Sequence, residues 1–130
     1  MTRSDDRYVS LSRRAEIANN AGAAAFVSLH CNSFSSSSAH GTETLYTSAR
    51  SSSKQLASLV HPEIMARINS RNRGIKNRRE LAVLRRTKMP AILVEMAFIS
   101  NSQDRARLLD SSFRLRIAQG ITAGINRYFD

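Results

Sequence analysis

Two short apolar runs constrain this chain more than any other feature. AAAFVSLH, from Ala23 to His30, and AILV, from Ala91 to Val94, are too short for buried helices, and their content of Phe26, Val27, Leu29, Ile92, Leu93 and Val94 suits strands buried on both faces. Helical patterns lie around them. Ser10 caps a predicted helix over 11–21 that places Leu11, Ala15 and Ala18 on one face, with Gly22 as its stop. A second helix is expected over 51–70, burying Leu56, Leu59, Val60, Ile64 and Ile68, with Pro62 kinking or breaking it. The last helix starts at a Ser111 cap and repeats Phe113, Ile117, Ile121 and Ile125 every four residues, with Phe129 continuing the stripe. Buried strands separated by helices predict an α/β fold, a mainly parallel open sheet flanked by helices. TETLYT, from Thr42 to Thr47, alternates as a more exposed edge or near-edge strand after a serine-rich loop from Ser33 to Gly41, and LAVL at Leu81 to Leu84 is a further short apolar stretch.

The 130 residues fit a single domain. Cys31 is the sole cysteine, so no internal disulfide forms. No apolar run approaches the roughly 20 residues of a membrane span, and the start MTRSDDRYVS lacks the layout of a signal peptide. The formal net charge is +10, concentrated between Arg67 and Lys88, where nine Arg and Lys residues face Glu80 as their sole local counter-charge. Such a field attracts polyanions, whether nucleic acid, anionic lipid or acidic wall polymers, or it is a solvated basic surface. Nucleic acid is disfavoured, because the block carries no interleaved Phe, Tyr or Trp and no helix-turn-helix or zinc-finger spacing.

Ligands of open α/β sheets bind beyond the carboxyl ends of the strands. His30 follows FVSL and Glu95 follows AILV, so side-by-side strands would bring an imidazole and a carboxylate to one rim. Each alone has an ordinary explanation, a backbone carbonyl for His30 or an arginine for Glu95. Together they point to metal-assisted hydrolysis, in which zinc activates water and a carboxylate outside the ligand set moves the proton. His40 and His61 are expected at the surface. A Cys31–His30 pair is disfavoured because adjacent strand residues face opposite ways. The chain holds no G-x-S-x-G elbow, Gly-rich phosphate loop or C-x-x-C spacing.

TRSDDRYVSLSRRAEIAN, FVSLHCNS, GTETLY, and NRGIK with VLRRTKMPAILVEMAFISN follow one another along essentially the whole chain. In that order they resemble the zinc-dependent N-acetylmuramoyl-L-alanine amidases, which cut peptidoglycan between N-acetylmuramic acid and the first L-alanine of the stem peptide. The resemblance implies zinc as cofactor, peptidoglycan as partner, and action outside the cytoplasm in the periplasm or cell wall. It makes His30 a zinc ligand and Glu95 the catalytic carboxylate, and it sets Arg73 and Lys76 against stem-peptide carboxylates or anionic wall polymers. The family's first strand, the D-P-G-H-like turn whose histidine is another ligand, the following helix and a further ligating glutamate have no counterpart in the sequence. The chain is therefore expected to be an N-terminally truncated amidase domain with one zinc ligand of three, inactive or nearly so alone. The alternative is a degenerate fragment that binds peptidoglycan without cutting it.

Overall fold

The computed structural model describes residues Met1 to Asp130. Along the chain run α1 (Leu11–Asn20), β1 (Phe26–Asn32), β2 (Thr42–Tyr46), α2 (Ser51–Met65), β3 (Asn72–Asn77), α3 (Ala82–Arg85), β4 (Ala91–Phe98), α4 (Ser102–Leu109) and α5 (Ser111–Phe129). The four strands form one sheet in the order β1-β4-β2-β3. β1 with β4 and β2 with β3 are parallel, whereas β2 with β4 is antiparallel, so the α/β sheet is mixed.

The alternation of β4 sorts the core into two layers. Ile92 and Val94 point to one face, where they meet Leu56, Val60 and Ile64 of α2 and Phe113, Ile117 and Ile121 of α5. Ala91 and Leu93 point to the other, where they meet Ala18 of α1 and Val83 and Leu84 of α3. Two glycines set the spacing of α5 on α2. A Cβ at Gly120 would lie 2.6 Å from the Ile64 Cα, and one at Gly124 would lie 2.4 Å from the Val60 Cα.

Local signals behave as their chemistry dictates. The Ser10 hydroxyl accepts from the Arg13 N–H and caps α1, and Gly22 follows the helix at φ +61°. Pro62 neither ends nor splits α2: it lies on the exposed side within the helix, and Ala66 N still reaches its carbonyl. α5 is capped by Asp110 rather than Ser111, and Phe129 is exposed instead of extending the buried stripe.

Strand environments depart further from expectation. β1 is an edge strand with Leu29 half exposed, not a strand covered on both faces. β2 lies one strand in from an edge, as expected, but it is buried at every position instead of more exposed. Its threonines are tolerated there because each finds a partner: Thr42 Oγ1 donates to the Met96 carbonyl at 2.9 Å, and Thr44 Oγ1 lies 2.9 Å from His61 Nδ1. The other edge is β3, whose basic NRGIKN composition carries no apolar alternation. The basic block also gains counter-charges from outside itself, with Glu43 facing Lys76 and Arg73, and Glu63 facing Arg67. No helix is long and apolar enough to cross a membrane.

Candidate functional site

Three strands place their titratable residues side by side. His30 of β1 stands opposite Glu95 of β4, and Glu95 stands opposite Glu43 of β2. Alternation puts all three on the face that carries Phe26, Leu45 and Leu93. The sequence-predicted pair is therefore brought together. It sits inside the strands rather than beyond them, because β4 runs on to Phe98 and β1 to Asn32.

Two bulges decide what surrounds this row. His30 pairs with Glu95 but Asn32 pairs with Phe98, so β4 carries one extra residue and Phe98 turns to the side of Asn32. Thr42 pairs with Asn72 but Thr44 pairs with Ile75, so β3 also carries an extra residue. Gly74 absorbs it at φ +78°, a conformation that favours glycine. The shift puts Arg73 and Lys76 together on the Glu43 side. Lys76 Nζ lies 2.7 Å and Arg73 Nε 3.6 Å from Glu43 Oε2, and Asn32 Nδ2 donates to Glu43 Oε1 at 3.1 Å. The Arg73 guanidinium also lies over the Phe98 ring, 4.9 Å from its centroid.

The two glutamates differ in what faces them. Each has a buried Oε2 without a hydrogen bond, but Glu43 has cations beside it and Asn32 on Oε1, whereas Glu95 has no ion-pair partner. Burial, and then the Glu43 charge, push the Glu95 carboxyl up to about 7. Burial, and then the Arg14 guanidinium, push the His30 imidazole below its ordinary value, so it is neutral near pH 7. His30 Nε2 lies 2.9 Å from the Ser28 hydroxyl.

Two supporting residues escape a sequence reading. His61, expected at the surface, is buried because its side of α2 packs on the sheet, where Nε2 lies 2.8 Å from Asn72 Oδ1. The Gly74 N–H donates to the same oxygen, so that oxygen is an acceptor and the His61 proton sits on Nε2. His61 thus pins the bulge that presents Arg73. Asp104 is fully buried, and its Oδ2 accepts from the Gly41 N–H at 2.8 Å and the Phe98 N–H at 2.9 Å, while Arg107 Nη1 donates to Oδ1 at 2.9 Å. It ties the start of β2 to the end of β4. The available signal for Asp104 was Asn101, whose side chain accepts from the Asp104 N–H and caps α4. His40 stays on the loop with Nδ1 on the Ser38 carbonyl, and Cys31 is exposed.

A cavity of about 260 Å³ opens beside Glu43, lined by Asn32, Phe34, Arg73, Lys76, Arg78 and Phe98 among others. Glu95 lies one strand away from it.

Zinc takes three or four ligands in proteins. His30 and Glu95 are suitable donor types, but nowhere does the chain gather three His, Cys, Asp or Glu residues able to hold a metal ion. Its own residues do not make a complete zinc site.

The model of the family described as N-acetylmuramoyl-L-alanine amidase matches residues 1–127. N-acetylmuramoyl-L-alanine amidase LytC of Bacillus subtilis (strain 168) is 37% identical over 131 residues, covering 99% of this chain and 26% of LytC. The catalytic domain of CwlV, an N-acetylmuramoyl-L-alanine amidase from Bacillus (Paenibacillus) polymyxa var. colistinus, superposes with a TM-score of 0.93 at 43% identity, over 99% of this chain and 70% of that one. An N-acetylmuramoyl-L-alanine amidase from Clostridium difficile 630 gives 0.94 at 36% identity, over 98% and 69%. The chain thus spans about a quarter of LytC and about 70% of the two solved chains.

Proposed function

The chain belongs to the N-acetylmuramoyl-L-alanine amidase family, and on that premise we propose that it is the single domain, residues 1–130, that serves hydrolysis of the amide between N-acetylmuramic acid and the stem-peptide L-alanine. One observation carries the reading: Glu95 holds a buried carboxylate oxygen without a partner, on a group that titrates at about 7. A carboxyl poised there is half ionised near neutrality, so it can take a proton from the attacking water and return one to the leaving amine.

The neighbouring residues support Glu95. Glu43, held by Lys76, Arg73 and Asn32, keeps a negative charge beside Glu95 and so opposes its ionisation. Arg73 and Lys76 present cations to stem-peptide carboxylates or anionic wall polymers. His30, neutral at working pH, is assigned as a metal ligand on the strength of the family's zinc dependence. Because one imidazole is not a zinc site, any bound zinc draws further donors from outside this set. The place of action is outside the cytoplasmic membrane, in the periplasm or the wall.

The test is release of new alanine N-termini from purified peptidoglycan by this chain over graded zinc concentrations. With so few ligands, release is expected only at high zinc, and Glu95→Gln should lower it at least about 100-fold. Release that survives Glu95→Gln refutes the role of Glu95. New reducing sugar ends in place of amino termini refute the bond assigned. Binding to the wall without release at any zinc level would favour the non-cutting reading.

A further inference from the structure

The cavity beside Glu43 holds more positive charge than the chain neutralises. Arg73, Lys76 and Arg78 line it against one carboxylate, Glu43. The remaining acid in reach is Glu80, 3.8 Å from Arg78 Nε and largely exposed, a contact that water and salt weaken. Donors are also left over. Arg73 Nε is buried without a hydrogen bond. Lys76 Nζ approaches Glu43 Oε2 at 2.7 Å, yet that oxygen has no hydrogen bond, so the contact is an ion pair of poor direction. An ammonium carries three donors, and Lys76 therefore keeps capacity for a second anion.

The opposite flank of Glu95 differs. There stand His30, with Nε2 2.9 Å from the Ser28 hydroxyl, and Arg14, whose Nε is turned to the Val9 carbonyl, and no cation there lines the cavity. We infer that the β3 cavity is a carboxylate subsite for the peptide side of the scissile amide, so that substrate lies across the sheet with peptide over β3 and sugar over β1. This rests on the amidase reading and adds a direction and a specificity to it.

Chemistry favours that polarity. The leaving amine belongs to a peptide that carries free carboxylates, whereas a muramoyl sugar offers hydroxyl, acetamido and carbonyl groups. Size agrees, since about 260 Å³ is below the roughly 300–1,000 Å³ of sites for larger ligands and suits one acidic residue better than a disaccharide. Phe34 and Phe98 supply apolar walls. Distance narrows the residue to the second or third. Lys76 reaches Glu43, one strand or about 5 Å from Glu95, so an anion beyond it lies about 7–10 Å from Glu95, two to three residues of extended chain at about 3.4 Å each.

The experiment is calorimetric titration of the chain with L-alanyl-glutamate and L-alanyl-glutamine, both amidated at the C-terminus so that they differ in one carboxylate. The glutamate peptide should bind about tenfold more tightly at low salt, a preference that falls as salt rises. Lys76→Met should erase most of it. Should Lys76→Met unfold the chain by stranding Glu43, Arg78→Met, on a more exposed side chain, should still reduce the preference several-fold. Equal affinities, no binding of either peptide, or a preference intact in the folded variants overturns the inference. Failure here leaves Glu95-dependent hydrolysis untouched. Loss of that hydrolysis with the preference intact refutes the reaction and leaves a carboxylate-binding cavity.

Discussion

Replacing Asp104 with alanine strands three donors at once, and the geometry says how much each matters. Arg107 is the least affected, because its side chain is partly exposed and its Nε keeps a bond to the Asn69 carbonyl at 3.0 Å. The Gly41 and Phe98 N–H groups have no such refuge, since both are hydrogen-bonded to Asp104 Oδ2 in a fully buried position. An unsatisfied buried donor costs about 1–3 kcal/mol, and a water entering the vacated volume recovers part of that, which leaves about 3–4 kcal/mol for Asp104→Ala. Asp104→Asn is the informative control. Its amide oxygen can replace Oδ2 for both N–H groups, while its NH2 turns toward Arg107, so the loss should be about 1–2 kcal/mol. Urea unfolding followed by circular dichroism reads both. At a slope of about 2 kcal/mol per molar, Asp104→Ala should lower the midpoint by about 1.5–2 M and Asp104→Asn by less than about 1 M. Hydrogen exchange at Gly41 and Phe98 should quicken in the alanine variant first. An alanine variant within about 0.5 kcal/mol of the parent, or an asparagine variant as damaged as the alanine one, would refute the assignment of the energy to the two backbone donors.

Glu95→Gln should stabilise the chain at pH 8 and do little at pH 5. The folded-state carboxyl titrates at about 7, above its ordinary value, so the parent loses stability as pH rises from about 4.5 to about 7 and the variant does not; thermal melts at the two pH values check the sign. Activity that depends on ionised Glu95 should rise through pH 7, and a flat profile between pH 6 and 8 would exclude Glu95 as the base. Gly124→Ala should lower the melting temperature by several degrees. Its Cβ would sit 2.4 Å from the Val60 Cα, and about 1–3 kcal/mol of overpacking outweighs the roughly 1 kcal/mol of helix propensity gained, so a higher melting temperature would contradict the close approach. His61→Leu should loosen the β3 bulge by about 2 kcal/mol through lost bonds to Thr44 and Asn72, with faster exchange of the Gly74 amide as its local signature.

Much of the fold is legible in short stretches because helix and strand periods are local. Ser10, Gly22 and the stripe Phe113, Ile117 and Ile121 announce α1 and α5, and the apolar runs around Val27 and Leu93 announce β1 and β4. The family was legible too, in the FVSLHCNS and VEMAFISN strings and their order. Neighbour relations were not. Whether TETLY lies at an edge depends on β3, a strand without apolar alternation that pairs with it across a helix of 15 residues. The burial of His61 and Asp104 likewise depends on distant partners, Asn72 at 11 positions and Gly41 at 63.

His30 and Glu95 show both halves of this division. Their types and their places on two apolar runs are properties of the sequence, and they suffice to nominate the pair. That the residues face each other, that Glu43 stands against Glu95 and raises its pKa, and that Arg73 and Lys76 arrive on the same side are decided by strand order and two bulges. Side chains alternate along a strand with a period of two, so one inserted residue moves every later side chain to the other face. Only the register of the assembled sheet says where that insertion falls.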